Sequence, residues 1–97
     1  MVKVSVIIPA YNAERYVKDA LESVMAQSLT EIEILAVDDG STDRTGEILE
    51  DYSQKDERIR VIHKKNTGYG NTMNVGIDHA IGKYLAVLES DDRMLPD

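Results

Sequence analysis

The chain has 97 residues, of which 42% are hydrophobic and 30% are charged, a composition typical of a folded globular domain. Its formal net charge of -7 argues against nucleic acid and anionic membrane surfaces as partners, because both attract clustered lysine and arginine. The sequence has no cysteine, which excludes disulfides, and no apolar run near the roughly 20 residues of a membrane span. We therefore expect a cytoplasmic protein.

The first third of the chain predicts a strand, a helix and a second strand. Residues 3–8, "KVSVII", form a β-branched run that Pro9 ends. Asn12 is a candidate N-cap for a helix over 13–27, where apolar residues recur at helical spacing. The run "IEILAV" at 32–37 predicts the second strand.

The middle of the chain predicts a second helix and a third strand. Ser41 or Thr42 is expected to cap the helix, and its buried face is expected to hold Ile48, Leu49 and Tyr52. The weakly alternating "RIRVIH" at 58–63 indicates a strand, and the turn-rich loop "KKNTGYG" follows it.

The last third predicts a helix from about 71 to 81 and a fourth strand over 83–89. Gly82 is the expected C′ residue of that helix. The fourth strand, "KYLAVLE", is apolar enough to predict a central strand buried on both faces. The residues that the helix is expected to bury are Met73, Ile77, Ala80 and Ile81.

The predicted order of elements is β-α-β-α-β-α-β. Apolar strands that alternate with helices indicate an α/β fold, in which helices cover both faces of a parallel sheet. Right-handed crossovers then give a Rossmann-like sheet in the order 3-2-1-4. Ligands of such sheets bind beyond the carboxyl ends of the strands, where the strand order reverses.

Five carboxylates are expected at that edge of the sheet. Asp38 and Asp39 follow the second strand, and Glu89, Asp91 and Asp92 end the fourth. Carboxylates brought this close repel one another unless they share a proton or a cation. Oxygen ligands suit Mg²⁺ or Mn²⁺, so one hypothesis is a divalent metal site, and the alternative is that some of them cap helices or face water.

Other motifs limit the chemistry of the site. The chain has neither glycine-rich phosphate loop, G-x-G-x-x-G or the P-loop, so phosphate binding is expected to depend on the metal. His63 and His79 are isolated in the sequence and do not form a zinc signature. Tyr11 lies between the two acidic strand ends, where its ring either stacks on a base or packs on the following helix.

Several segments of the chain form a familiar series: "VSVIIPAYNAERYVKDALESVMAQ", "EILAVDDGSTDRTGEIL", "IRVIH", "NVGIDHAIGKYLAVLESDD" and "LPD". In this order they resemble the nucleotide-sugar half of family 2 glycosyltransferases with the GT-A fold, over essentially the whole chain. The resemblance implies that residues 1–97 are the nucleotide-diphospho-sugar-binding portion of a GT-A domain, truncated at its C-terminus. The general base and the acceptor site are then expected beyond residue 97.

The resemblance also implies roles for individual residues. Its "P-A-Y" segment lines the base pocket, its paired aspartates contact base and ribose, and its D-x-D motif holds the ribose and the metal. The implied nucleotide-binding residues are Pro9, Ala10, Tyr11, Asp38, Asp39, Glu89 and Ser90. The implied ligands of Mn²⁺ or Mg²⁺ are Asp91 and its neighbour Asp92.

The chain departs from the family pattern at two places. Glu89 replaces the usual aspartate, so the motif reads E-S-D with a carboxylate one methylene further out. At 72–74 the chain has "TMN" where many members have "ARN", which leaves Lys64, Lys65 or Asn71 to replace the arginine.

The resemblance implies that the parent protein transfers a sugar from a nucleotide-diphosphate donor, first of all a UDP-sugar, to a glycan or lipid-linked acceptor hydroxyl. Transfer is expected to be metal-dependent and inverting, in cell-wall or polysaccharide biosynthesis, with segments beyond residue 97 offering contact with the inner membrane face. Residues 1–97 alone are expected to bind nucleotide and metal without catalysis.

Two alternatives remain at this stage. One is a non-catalytic nucleotide-binding or interaction module of the same fold, which the glutamate at position 89 favours. The other is a receiver-like phosphoacceptor domain, which also places carboxylates at strand ends around Mg²⁺. The second is disfavoured because the "DD" pair follows the second strand rather than the first, and no single aspartate follows the third.

Overall fold

The computed structural model describes residues 2–28 and 30–89. Within these ranges, four strands alternate with three helices: β1 (Val4–Ala10), α1 (Val17–Met25), β2 (Ile32–Asp39), α2 (Thr45–Lys55), β3 (Ile59–Lys64), α3 (Tyr69–His79) and β4 (Tyr84–Val87). All strand pairs are parallel, in the order β3-β2-β1-β4. The predicted α/β fold and its strand order are therefore confirmed.

The core is built on the two inner strands. Every residue of β2 is buried, and so is every residue of β1 after Val4. Alternate side chains of a strand point to opposite faces of the sheet, so both faces need a cover. Helices α1 and α2 pack on one face through buried residues such as Leu21 and Leu49, and α3 contacts β1 and β2 from the other.

Strand β4 is more exposed than the sequence predicts. The prediction was a central strand over 83–89, buried on both faces, whereas β4 covers Tyr84–Val87 and leaves its large side chains half-exposed. Their exposed fractions are 54% for Tyr84, 51% for Leu85 and 48% for Val87. Apolarity alone predicted burial wrongly because β4 pairs only with β1 and forms one edge of the described sheet.

Helix α3 turns a different face to the sheet from the one predicted. Its buried residues are Thr72 and Gly76, whereas Ile77 is 45% exposed. A Cβ atom at Gly76 would lie 2.6 Å from Ile7 Cγ2, so the helix lies too close to β1 for a larger residue. The other residues predicted to be buried are Met73 and Ala80, which are partly buried, and Ile81, which is 68% exposed.

The end of α3 also corrects the prediction for Gly82. The helix ends at His79, and Ala80 already has extended backbone angles, so Gly82 is not its C′ residue. Gly82 instead passes next to β1, where an added Cβ would lie 2.6 Å from Ser5 Oγ. The backbone N–H of Gly82 donates a hydrogen bond to the same hydroxyl at 2.8 Å.

Asn12 does not cap α1, because that helix begins at Val17 and its N-cap position is Tyr16. Asn12 has a positive φ of 48°, a conformation that asparagine tolerates better than most residues. Its Oδ1 atom accepts a hydrogen bond from the Thr42 backbone N–H at 2.8 Å. The side chain therefore joins the loop after β1 to the loop after β2.

Neither Ser41 nor Thr42 caps α2, which begins at Thr45. The hydroxyl of Ser41 accepts a hydrogen bond from the Asn12 backbone N–H at 3.0 Å. At the start of α2, Asp43 Oδ1 accepts from the Thr45 N–H at 2.9 Å. The polar residues after β2 therefore fix the loops at the carboxyl edge of the sheet.

No helix in the described part of the chain is long and apolar enough to cross a bilayer.

Candidate nucleotide-binding site

A cavity of about 510 Å³ lies at the carboxyl ends of the strands. Five residues that the sequence predicts for nucleotide binding line it: Pro9, Ala10, Tyr11, Asp39 and Glu89. The loop after β3 and the start of α3 contribute Asn66, Gly68 and Tyr69, and the segment after Tyr11 contributes Asn12, Ala13 and Tyr16. The fold thus brings together residues from four separate segments at the edge where the topology predicted a ligand.

Asp38 does not line this cavity. Successive residues of a strand point to opposite faces, so Asp38 and Asp39 diverge although they are neighbours. Asp38 Oδ1 accepts from the Ser41 N–H at 3.0 Å, and its Oδ2 lies 3.0 Å from His63 Nδ1. Among the described residues, Asp38 therefore contacts the loop after β2 and the end of β3 rather than the cavity.

Asp39 is a fixed hydrogen-bond acceptor. Its Oδ1 accepts from Lys64 Nζ at 2.6 Å and from the Thr67 N–H at 3.0 Å, and its Oδ2 accepts from the Gly68 N–H at 3.2 Å. Burial acts to raise the pKa of this carboxyl, but these donors outweigh it and hold the pKa below its usual value. Asp39 is thus ionised at neutral pH, and an ionised carboxylate only accepts hydrogen bonds.

Lys64 donates hydrogen bonds to Asp39 and to the loop that follows β3. The acceptors nearest to its Nζ atom are Asp39 Oδ1 at 2.6 Å, the Lys65 carbonyl oxygen at 2.8 Å and Thr67 Oγ1 at 2.5 Å. An ammonium has three hydrogens to donate, so these contacts use its donor capacity. Lys64 therefore does not take the role of the absent arginine as a phosphate ligand. Asn71, another candidate, accepts a hydrogen bond from Thr67 Oγ1 at 2.9 Å.

Tyr11 is 49% exposed and lines the cavity together with Asp39. Its backbone follows β1, which places it at the position where the strand order reverses between β2 and β4. An exposed tyrosine ring offers a flat apolar face of the kind that stacks on nucleobases. This placement favours the stacking interpretation over packing against α1.

Glu89 contacts a residue that the sequence analysis did not single out. The Tyr69 hydroxyl donates a hydrogen bond to Glu89 Oε1 at 2.6 Å. That bond, together with partial burial, raises the pKa of Tyr69 above its usual value. Tyr69 belongs to the segment "KKNTGYG", which was predicted to be a turn-rich loop, and it is the first residue of α3. Its place in the connection that follows the carboxyl end of the third strand was the signal that could have identified it.

The predicted metal ligands Asp91 and Asp92 lie outside the described residues, as does Ser90, which was predicted to bind the nucleotide. The roles of all three stay predictions. Within residues 2–28 and 30–89, no three His, Cys, Asp or Glu side chains are grouped so that they could hold a metal ion. The receiver-like alternative loses support, since β1 ends in Pro9 and Ala10 and no aspartate ends β3.

The family model for glycosyl transferase family 2 matches residues 5–97 of the chain. The chain belongs to this family. Among curated relatives, the uncharacterised glycosyltransferase EpsJ of Bacillus subtilis (strain 168) is 46% identical over 89 residues. That match covers 92% of this family 2 chain and 26% of the relative. The resemblance that the motifs predicted is therefore confirmed.

Solved structures support the same fold. S. aureus TarS 1–349 in complex with UDP-GlcNAc superposes with a TM-score of 0.88 and is 38% identical. The mannosyltransferase PcManGT of Pyrobaculum calidifontis, in complex with GDP-Man and Mn²⁺, also has a TM-score of 0.88, at 22% identity. The match to TarS includes 95% of this family 2 chain and 27% of the TarS chain. The chain therefore spans about a quarter of the length of these relatives.

Proposed function

We propose that the protein containing this chain transfers a sugar from a nucleotide diphosphate to an acceptor hydroxyl, and that the cavity beside Asp39 binds the nucleotide. The observation that carries the proposal is the ionised Asp39 carboxylate, fixed by three donors and facing a cavity lined by Tyr11. Membership of glycosyltransferase family 2 supports it, as does the similarity to TarS, a structure of which holds UDP-GlcNAc.

The acceptor character of Asp39 favours a base that presents a ring N–H group, such as uracil or guanine. Asp39 Oδ2 has a single donor within the described chain, Gly68 N–H, and a carboxylate oxygen accepts two or more hydrogen bonds. Uracil presents an N–H group between two carbonyl groups, whereas cytosine presents an acceptor at the same ring position. Tyr11 would stack on the base while Asp39 accepts its N–H. Because the similar TarS structure holds UDP-GlcNAc, we propose UDP-sugars as donors.

The remaining predicted roles complete the proposal. Glu89 and Ser90 are assigned to the ribose, and Asp91 and Asp92 to Mn²⁺ or Mg²⁺, because carboxylate oxygens are the ligands that these ions prefer. The metal would supply Lewis-acid stabilisation of the charge on the departing diphosphate. We assign the general base, the acceptor site and inversion to the part of the enzyme beyond residue 97. The proposed setting is cytoplasmic, with a glycan or lipid-linked acceptor.

Calorimetric titration of the full-length protein with UDP and CDP, with and without Mn²⁺, tests the proposal. We expect Mn²⁺-dependent binding of UDP, and tighter binding of UDP than of CDP. Asp39→Asn is expected to reduce the preference for UDP, since an amide both donates and accepts. A merely structural role of Asp39 would weaken both nucleotides alike, so an unchanged ratio of the two affinities would contradict the assignment.

The variant Asp91→Ala, measured in the same titrations, tests whether Asp91 binds the metal. We expect this variant to lose the dependence of UDP binding on Mn²⁺. Its thermal unfolding is measured beside that of the wild-type protein, so that a folding defect is recognised. Binding of UDP that is unaffected by Mn²⁺ in the wild-type protein, or unchanged dependence in the variant, would refute the metal assignment.

A further inference from the structure

The contact between Tyr69 and Glu89 joins two segments that are 20 residues apart in the sequence. Tyr69 is the first residue of α3, and Glu89 follows β4 by two residues. Both side chains line the cavity that also contains Tyr11 and Asp39. The hydrogen bond is 2.6 Å long, within the range of 2.5–2.7 Å that is usual when a hydroxyl donates to a carboxylate.

The bond depends on the length of the glutamate side chain. An aspartate at position 89 would draw its carboxylate back by about 1.5 Å, the length of one carbon–carbon bond. With the Tyr69 ring held in place, the distance to its hydroxyl would rise to as much as about 4 Å, which is too long for a hydrogen bond. The departure of this chain from the family's usual aspartate is thus matched by a tyrosine that reaches the longer carboxylate.

The loop that supports Tyr69 also fixes Asp39. Gly68, which precedes Tyr69, donates its backbone N–H to Asp39 Oδ2, and Thr67 donates to Oδ1. One short loop therefore sets the positions of both carboxylates on the cavity wall, directly for Asp39 and through the Tyr69 hydroxyl for Glu89. The acidic residues therefore do not act independently of this loop.

We propose that Tyr69 is a positioning residue of the donor site, whose hydroxyl holds Glu89 Oε1 and leaves Oε2 to accept a hydrogen bond from a ribose hydroxyl. The inference rests on the proposed nucleotide-binding function. The chemistry matches, because Tyr69 occupies one carboxylate oxygen as a donor and the ribose diol supplies donors for the other.

The test uses the full-length protein with UDP and with 2′,3′-dideoxy-UDP, which lacks both ribose hydroxyls. Tyr69→Phe, Glu89→Asp, their double variant and the control Tyr84→Phe are compared by calorimetry in the presence of Mn²⁺. Tyr84 is a matched control because its exposed fraction is 54%, equal to that of Tyr69, and it does not line the cavity.

We expect Tyr69→Phe to weaken UDP about tenfold, the usual effect of one hydrogen bond to a charged group. Glu89→Asp should have a similar effect, and the double variant should be little worse than either, because both changes break the same bond. The wild-type protein should bind 2′,3′-dideoxy-UDP more weakly than UDP, with no further loss in Tyr69→Phe. In steady-state kinetics of sugar transfer, Tyr69→Phe should raise KM for the donor by a larger factor than it lowers kcat.

The outcomes separate this inference from the function on which it rests. If the wild-type protein binds UDP and Tyr69→Phe binds it equally well, the positioning role is wrong and the proposed function stands. Equal weakening of UDP and 2′,3′-dideoxy-UDP would also overturn it, because the lost contact would not involve the ribose. If the wild-type protein binds none of UDP, GDP, CDP and ADP, the proposed function fails, and the role of Tyr69 fails with it.

Discussion

Replacement of Lys64 by methionine tests the ion pair that fixes Asp39. The Asp39 side chain is buried and that of Lys64 is mostly buried, with exposed fractions of 8% and 12%, and their charged atoms are 2.6 Å apart. Lys64→Met keeps much of the aliphatic side chain and removes the charge, so Asp39 is left as a buried carboxylate without its counterion. Removal of one partner of a buried ion pair costs about 3–5 kcal/mol. We expect about 3 kcal/mol, since the N–H groups of Thr67 and Gly68 still donate to Asp39.

The pH dependence of this loss distinguishes an electrostatic effect from a packing defect. The pKa of Asp39 in the folded protein lies below its unfolded value, so the pair stabilises the fold above that unfolded value. This stabilisation is lost as the pH falls through the folded pKa. Without Lys64 the carboxyl pKa rises, so the variant loses less stability on acidification. The difference between wild type and Lys64→Met should therefore shrink below about pH 4.

Urea unfolding of the full-length protein, followed by circular dichroism between pH 3 and pH 7, measures both quantities. Amide hydrogen exchange at Thr67 and Gly68 adds a local measurement, since both amides should exchange faster in Lys64→Met. Lys65→Met is the control for stability, because it removes a neighbouring lysine that is exposed. The reasoning is refuted if Lys64→Met is no less stable than Lys65→Met, or if the difference from wild type is the same at pH 3 and pH 7.

Two further predictions concern the sheet. Gly76→Ala should lower the free energy of unfolding, because its Cβ would lie 2.6 Å from the buried Ile7 and such overpacking costs about 1–3 kcal/mol. Gly70→Ala is the control in the same urea assay. It should be neutral or stabilising by up to about 1 kcal/mol, since nothing lies within 4 Å of its added Cβ. If the two variants change the free energy of unfolding equally, the close packing at Gly76 is contradicted. His63 has a raised pKa, first because of its bond to Asp38, so its stabilisation is complete below pH 6.5 and is lost as the pH rises through the higher folded pKa. Between pH 6 and pH 8, wild type should therefore lose more stability than His63→Gln, and parallel profiles would show that the histidine does not titrate with folding.

The sequence determined the architecture because the relevant signals are local. Apolar runs separated by helical periodicity predicted the alternation of strands and helices, and the handedness of crossovers then predicted the order β3-β2-β1-β4. The carboxyl edge of that sheet is a consequence of topology, so the sequence was enough to assign Tyr11, Asp39 and Glu89 to one site. Family motifs assigned the same residues independently.

How deeply an apolar side chain is buried depended on neighbouring elements that the sequence pattern does not reveal. Ile77 and Ile81 are apolar and were expected inside, yet both are exposed. Helix α3 packs on β1 through Gly76, which leaves Ile77 outside, and Ile81 lies beyond the end of the helix. Strand β4 has the composition of a central strand and is half-exposed, because in the described sheet it has a partner on one side only. Periodicity identifies an apolar face, but only packing decides how completely that face is covered.

The contacts within the site were decided by tertiary structure alone. Two adjacent aspartates looked equivalent in the sequence, but the alternation of side chains sends Asp38 to His63 and Asp39 to the cavity. Lys64 was one of three candidates to replace the absent arginine and is instead the counterion of Asp39. Tyr69 meets Glu89 only because α3 begins beside the end of β4. Residue types and strand order follow from local sequence, whereas hydrogen-bond partners depend on distances between distant segments, which only the folded chain fixes.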